Sequence, residues 1–236
     1  MASQQTEKLR DSAVIAIIHI FGASYFVLFT IHFLIFHFPT SPSAILDSLA
    51  ILFFCIGVLF WCLSTILYRT ISAATSYCRA TSWQNLEFMG TLILIGTTAV
   101  PFVVLQFPSQ SSIQLGYLST LTLATVGFLV DLLAVDPAVP VTSERFPYHC
   151  ASLGSLMLVP AIHAFSEKPF VLLPLTVQFV KVALLNSLFA LNFIVRPMER
   201  MRVITGWRPS LYAMHLAVVY SAVTYSRDIL HHVINH

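Results

Sequence analysis

Seven apolar runs, each long enough to cross a lipid bilayer, constrain this chain more than any other feature of its sequence. About 20 consecutive apolar residues span the hydrocarbon core as a helix, because a helix satisfies its own backbone hydrogen bonds where water is absent. Proline and serine separate the runs, as in FPTSPS at 38–43 and FPSQSS at 107–112. The sequence therefore predicts an all-α, polytopic bundle of seven transmembrane helices. The runs lie at about 13–37, 44–68, 86–107, 112–133, 148–166, 170–194 and 209–230.

The composition agrees with a membrane protein and leaves little room for another folded domain. Only 9% of the 236 residues are charged and 57% are hydrophobic, whereas soluble domains are about 25% charged. We expect a short cytosolic leader at 1–12, one membrane domain at 13–230 and a histidine-containing tail at 231–236. The first run is too long for a signal peptide, so it should remain as a helix. The small net charge of +2 argues against nucleic acid as a partner.

The positions of lysine and arginine predict the orientation of the bundle. Cytoplasmic loops of membrane proteins carry an excess of these residues. Nine of the 12 fall on the side of the N-terminus, whereas Lys168 and Arg227 fall on the opposite side and Lys181 lies inside the sixth run. The N-terminus is therefore predicted to be cytosolic, which is opposite to a G-protein-coupled receptor. We expect a multi-pass protein of the plasma membrane or of an internal membrane, since no retention or lipidation motif selects one.

Four polar residues in the runs are predicted to meet in one layer near the cytosolic boundary. An ionisable side chain inside a span costs several kcal/mol unless it is paired or hydrated. Odd helices begin and even helices end at the cytosolic side, which brings four residues to a similar depth. They are His19, Arg69, Glu87 and His215. Each has an ordinary explanation as well: a histidine bonded to backbone, an arginine reaching the interface, or a carboxylate near the N-terminus of its own helix.

Lys181 is an intramembrane polar residue of a different kind, because it lies near the middle of the sixth run. An ammonium at that depth needs a polar partner or a water-filled cavity. Asn186 is a polar neighbour in the same run. A transporter or channel would use Lys181 in a permeation path, but no pair of broken helices accompanies it.

Three segments carry a further pattern, in an order and spacing that cover most of the chain. They are RTISAATSYCRATSWQNLEFMGTLILIGTTAVP at 69–101, SERFPYHCASLGSLMLVPAIHAF at 143–165 and VRPMERMRVITGWRPSLYAMHLAVV at 195–219. Together they resemble the progestin and adiponectin receptor (PAQR) and hemolysin III family of seven-helix membrane proteins. The resemblance implies a zinc ion near the cytosolic face, held by a second-helix histidine and an H-x-x-x-H pair on the seventh helix. A third-helix aspartate would then bond the metal-bound water.

The sequence departs from that pattern at two of the three implied zinc ligands. By the resemblance, Arg69 stands at the second-helix histidine, and Leu211 stands at the first histidine of H-x-x-x-H. His215 matches the second, His19 matches the first-helix histidine, and Glu87 replaces the aspartate. A zinc site typically has three protein ligands, and an arginine does not deprotonate to serve as one. We therefore predict that an Arg69–Glu87 charge pair replaces the metal, the alternative being a site rebuilt from His19, Glu87 and His215.

The resemblance implies one of two functions, and the departures favour the first. The first is a lipid-related receptor or regulator without the usual zinc site and without a cofactor. The second is a zinc-dependent, ceramidase-like lipid amide hydrolase with a remodelled metal site, since zinc makes a hydroxide nucleophile near neutral pH. There Glu87 would be catalytic, and His215, with His19, would bind the metal. The expected partners are membrane lipids and a lipid or hormone-like ligand, and the oligomeric state is left open.

Overall fold

The computed structural model describes residues 2–39, 42–74, 77–134, 141–167, 174–200 and 207–235. These residues are helical almost throughout and contain no strand, which confirms the predicted all-α class. The helices are α1 (Ala2–Phe36), α2 (Pro42–Ala74), α3 (Tyr77–Gln106), α4 (Ser111–Ala134), α5 (Val141–Glu167), α6 (Pro174–Val195), α7 (Pro197–Arg200) and α8 (Pro209–Asn235).

Within the described residues, six helices are long and apolar enough to cross a membrane. The candidate spans are Thr6–Phe36, Ala44–Ser72, Trp83–Gln106, Ser111–Ala134, Arg145–Glu167 and Pro174–Arg200, of which the last runs over α6 and α7. Each overlaps one of the first six apolar runs of the sequence. The chain is therefore a multi-pass integral membrane protein.

The last helix, α8, differs from the six spans in composition rather than in length. Its 27 residues are enough to cross a bilayer. Four of the side chains that it buries in the bundle are polar, namely Ser210, His215, Ser221 and Ser226, and they lie beside apolar ones such as Val219 and Ile229. The prediction of a seventh span at 209–230 is thus met in length but not in hydropathy. The count of seven and the cytosolic N-terminus stay predictions.

Helices α1 and α8 extend beyond the predicted limits of the membrane domain. Helix α1 begins at Ala2, so residues 2–12 of the polar leader are helical, and α8 continues to Asn235 through most of the tail. A helix that has nucleated gains one backbone hydrogen bond for each added residue, which carries it past the apolar limit. His236, Lys168 and Arg202 lie outside the described residues.

Glycines set the close packing of α2 against α3, which is the most extensive helix contact in the bundle. A Cβ at Gly57 of α2 would lie 2.0 Å from the Thr97 hydroxyl of α3. A Cβ at Gly90 of α3 would lie 2.2 Å from Oγ of Ser64 of α2. Lipid-embedded helices associate through such contacts, because lipid gives no hydrophobic drive for one helix to leave it for another. This packing aligns the end of α2 with the beginning of α3.

Aromatic side chains fill the core between α1, α2, α3, α6 and α8. The Phe102 and Phe179 rings stack at 4.3 Å between α3 and α6, and Phe54 of α2 meets Tyr225 of α8 edge-on at 5.4 Å. By contrast, α4 turns large apolar side chains outward, as a helix that faces lipid would. Its exposed residues include Leu115, Leu123, Val130 and Leu133.

Candidate polar site near the start of the bundle

The structure brings Arg69 of α2 and Glu87 of α3 together. Nη2 of Arg69 donates to both carboxylate oxygens of Glu87, at 2.9 Å from Oε1 and 3.3 Å from Oε2. The Glu87 side chain is 9% exposed and that of Arg69 is 18% exposed. A charge-assisted bond offsets part of the free-energy cost of taking two ions out of water. The tight α2–α3 packing positions this pair, since Arg69 lies near the end of α2 and Glu87 lies in the first half of α3.

His19 of α1 and His215 of α8 form a second pair. Nε2 of His19 lies 3.0 Å from Nδ1 of His215, so one of these nitrogens donates and the other accepts. Both side chains are buried. The His19 ring also meets Trp61 of α2 edge-on, with 4.4 Å between the ring centroids. The first and last long helices are therefore joined through the interior of the bundle.

The two pairs are close enough that the Arg69 charge acts electrostatically on both imidazoles. We call His19, Arg69, Glu87 and His215 the polar layer. Its members come from α1, α2, α3 and α8, which are the four helices expected from the depths of these residues. Which of the helices would be neighbours was not predictable from depth alone.

Three buried nitrogens of the polar layer make no hydrogen bond within the described residues. They are Nδ1 of His19, Nε2 of His215 and Nε of Arg69. A buried polar atom without a partner costs about 1–3 kcal/mol, so such atoms are uncommon in folded proteins. The polar layer therefore retains hydrogen-bonding capacity for a water molecule or a polar ligand group.

The donors of the polar layer do not fit the zinc site that the family resemblance implies. Among the residues that the structure describes, no three or more His, Cys, Asp or Glu side chains are grouped so as to hold a metal ion. His19, Glu87 and His215 thus do not converge as the rebuilt site would require. Glu87 is held by Arg69, whose guanidinium stays protonated and brings a positive charge to the layer. Leu211, at the first implied histidine of α8, is buried and apolar.

Lys181 does not join the polar layer. Its side chain is exposed on α6, and it interacts electrostatically with Asp228 of α8. Asn186 instead accepts a hydrogen bond from Ser221, with 2.7 Å between Oγ and Oδ1. Residues 181 and 186 lie about 140° apart around a helix of 3.6 residues per turn, so they face different neighbours. The interaction with Asp228 comes from another helix and was missed in the sequence.

A small cavity lies between α2, α3, α6 and α8, beside the Asn186–Ser221 bond. Its lining includes the polar residues Thr98 and Tyr225, and its volume is about 10 Å³. That is room for about one water molecule. A lipid acyl chain does not fit in this cavity.

A junction between the beginnings of α1 and α8 was also missed by sequence reasoning. Asp11 is buried, accepts a hydrogen bond from the Tyr212 hydroxyl, and has Nε of Arg208 at 3.4 Å from Oδ2. Glu199 of α7 accepts hydrogen bonds from the backbone nitrogen of Ser210, at 3.1 Å, and from its hydroxyl. These bonds satisfy donors at the beginning of α8. Pro209 before Ser210 was the available signal for this helix start.

No protein-family model matches this chain, and no curated protein matches it in sequence. The likeness to the PAQR and hemolysin III family rests on the segments 69–101, 143–165 and 195–219 and on His19.

Proposed function

We propose that this protein is a seven-span membrane protein of the PAQR and hemolysin III type that acts as a lipid-related receptor or regulator. In this proposal the N-terminus is cytosolic and α8 is the seventh span. The observation that carries the proposal is the buried Arg69–Glu87 ion pair, at 2.9 Å. It occupies the position where the resemblance implies a metal site.

The chemistry of the pair supports a receptor or regulator more than a hydrolase. Arg69 supplies a fixed positive charge at the position of an implied zinc ligand, and Glu87 neutralises that charge. A guanidinium cannot coordinate a water molecule and lower its pKa to near neutrality, as a Lewis-acidic metal does. The carboxylate that would assist such a water is already engaged in the pair.

The polar layer makes the free energy of the bundle depend on the relative positions of its helices. Its two pairs join α1 to α8 and α2 to α3. Moving one helix of either pair relative to the other would break a buried polar contact, which is costly in a low dielectric. A lipid that binds one helix arrangement better than another would shift the population between arrangements. In this proposal the polar layer is the element whose two arrangements a lipid would distinguish.

Metal content is the first test of the proposal. The zinc in detergent-purified protein is measured by mass spectrometry, alongside Glu87→Ala and His215→Ala variants. The proposal expects the parent to hold far less than one zinc per chain after dialysis against a weak chelator. About one zinc per chain, lost in both variants, would instead establish a rebuilt metal site and favour the lipid amide hydrolase. The unpartnered nitrogens of His19 and His215 are the observation that keeps this second function under test.

The lipid part of the proposal is tested separately. Photoreactive analogues of a fatty acid and of ceramide are cross-linked to the protein in native membranes, and the labelled peptides are mapped. Saturable labelling that changes after Arg69→Met would tie lipid binding to the polar layer. Labelling spread evenly over outward-facing α4, without saturation, would show bulk lipid contact alone.

A further inference from the structure

Arginines gather on the segment that joins α6 to α8. Arg196, Arg200 and Arg208 are all exposed. The guanidinium of Arg10, from α1, lies over the Trp207 ring of the same segment, with 4.3 Å from its central carbon to the ring centroid. This end of the bundle therefore presents several guanidinium groups to its surroundings.

The carboxylates of this region accept hydrogen bonds from residues of α8. Glu199 accepts the hydrogen bonds of Ser210 at the beginning of α8. Asp11 is buried and bonded to Tyr212, with only one oxygen near Arg208. Neither acid forms an ion pair with Arg196 or Arg200 among the described residues, although Arg196 acts electrostatically on the Glu199 carboxylate. With Arg10, four guanidinium groups stand against the two carboxylates of Asp11 and Glu199, so the net charge of these described residues is positive.

Arg196 stands in a backbone conformation that arginine rarely adopts. Its φ is 50°, in the left-handed region, between the last residue of α6 and Pro197 of α7. Its N–H donates to the carbonyl of Asn192 at 2.9 Å, and its own carbonyl accepts from the N–H of Arg200 at 3.0 Å. Glycine is the usual residue where a helix ends in this way. The turn itself does not call for an arginine, whose exposed guanidinium lies over the Phe193 ring, with 5.5 Å from its central carbon to the ring centroid.

The arginines stand where a candidate span ends. Arg196 and Arg200 are among the last five residues of the span Pro174–Arg200, and Trp207 and Arg208 come after it in the chain. Trp207 is 43% exposed beside it, and tryptophan favours the membrane–water interface. Arginine there can donate two hydrogen bonds to one phosphate. Clusters of basic residues just outside a span bind anionic lipids for these reasons.

We propose that Arg196, Arg200 and Arg208, with Trp207, form a binding site for the headgroup phosphates of anionic phospholipids. We call this the arginine site. Charge complementarity favours these lipids over zwitterionic ones. Because Arg208 also contacts Asp11, a bound headgroup would act on the junction of α1 and α8. This inference depends on the membrane-embedded fold and not on the polar layer or on the proposed function.

Arg196→Gly is the sharpest test, because it removes the guanidinium and relieves the backbone at once. Purified protein is titrated with dioctanoyl phosphatidylserine or phosphatidylcholine, and bound lipid is counted by native mass spectrometry. We expect the parent to prefer phosphatidylserine. The affinity of Arg196→Gly for phosphatidylserine should be about fivefold lower, and that of the Arg196→Gly, Arg200→Gln double variant about 25-fold lower. The melting temperature of Arg196→Gly should be unchanged or higher. Arg227→Gln, an exposed arginine near the far end of α8, is the matched control and should bind like the parent.

Two results would overturn the arginine site. One is equal binding of the two lipids by the parent protein, or the same loss in Arg227→Gln as in Arg196→Gly. The other comes from adding inorganic phosphate alone: if millimolar phosphate displaces phosphatidylserine completely and binds equally well by itself, the site recognises free phosphate and not a lipid. Retained phosphatidylserine at that phosphate concentration supports the lipid.

Discussion

Nε2 of His19 lies 3.0 Å from Nδ1 of His215, although 196 positions separate these residues in the chain. The contact closes the bundle, because it joins the first long helix to the last. It is a directional bond between two buried imidazoles, which contrasts with the apolar packing around it. Residues that are far apart in the chain can thus be partners when their expected depths in the membrane are similar.

A double-mutant cycle on His19 and His215 should reveal this bond. Each single alanine substitution leaves the other imidazole buried with one partner fewer, so each should lower the free energy of unfolding. We expect the two losses to be non-additive, with a coupling of about 1 kcal/mol. The measurement is thermal or chemical unfolding in detergent, followed by tryptophan fluorescence. His32→Ala, at an exposed position of α1, is the control and should change stability little; full additivity of the His19 and His215 losses would contradict the contact.

Glu87→Gln should destabilise the protein more than removal of both members of the ion pair. The single change leaves the Arg69 charge partly buried without its carboxylate, which costs about 3–5 kcal/mol when a pair is well buried. The Arg69→Met, Glu87→Gln double variant carries no such charge and should recover most of the loss. Unfolding midpoints of the four proteins in one detergent provide the comparison. If the double variant is less stable than Glu87→Gln, Arg69 is stabilised by a group other than Glu87.

Gly90→Ala should weaken the α2–α3 contact, because the added Cβ would lie 2.2 Å from Oγ of Ser64. Overpacking of this kind typically costs about 1–3 kcal/mol. Adding Ser64→Ala removes the clashing atom and should restore part of the stability. Gly127→Ala is the matched control, since nothing lies within 4 Å of its Cβ position and alanine favours a helix over glycine. Its unfolding midpoint should equal or exceed that of the parent, whereas equal losses in Gly90→Ala and Gly127→Ala would contradict the packing.

Much of the fold could be predicted from the sequence, because lipid imposes length and hydropathy on a spanning helix. The contact of Arg69 with Glu87 was predicted from their expected depths, from their positions in the family resemblance and from the opposite charges of the two side chains. The neighbour that each side chain faces was harder to predict. Lys181 of α6 interacts electrostatically with Asp228 of α8. Hydropathy carries no information about how each helix is rotated about its own axis. The polar side chains of α8, including buried ones such as Ser210 and His215, also lower its hydropathy, which is the signal on which a span prediction depends.

The buried Asp11 gives the beginning of α1 a structural role that the sequence analysis did not identify. Asp11 is bonded to Tyr212 and contacts Arg208 at the beginning of α8. Deleting residues 2–9 should therefore cost little, since residues 6–9 are exposed.

Deleting residues 2–12 should instead cost about 1–3 kcal/mol, because it leaves the Tyr212 hydroxyl and the Arg208 guanidinium without their carboxylate. Asp11→Asn in the full chain isolates the charge and should reproduce much of that loss. The unfolding midpoints of the two truncations and of Asp11→Asn, measured in the same detergent, check this. If both truncations lose stability equally and Asp11→Asn loses none, the helical turns before Asp11, and not its carboxylate, hold α1 to α8.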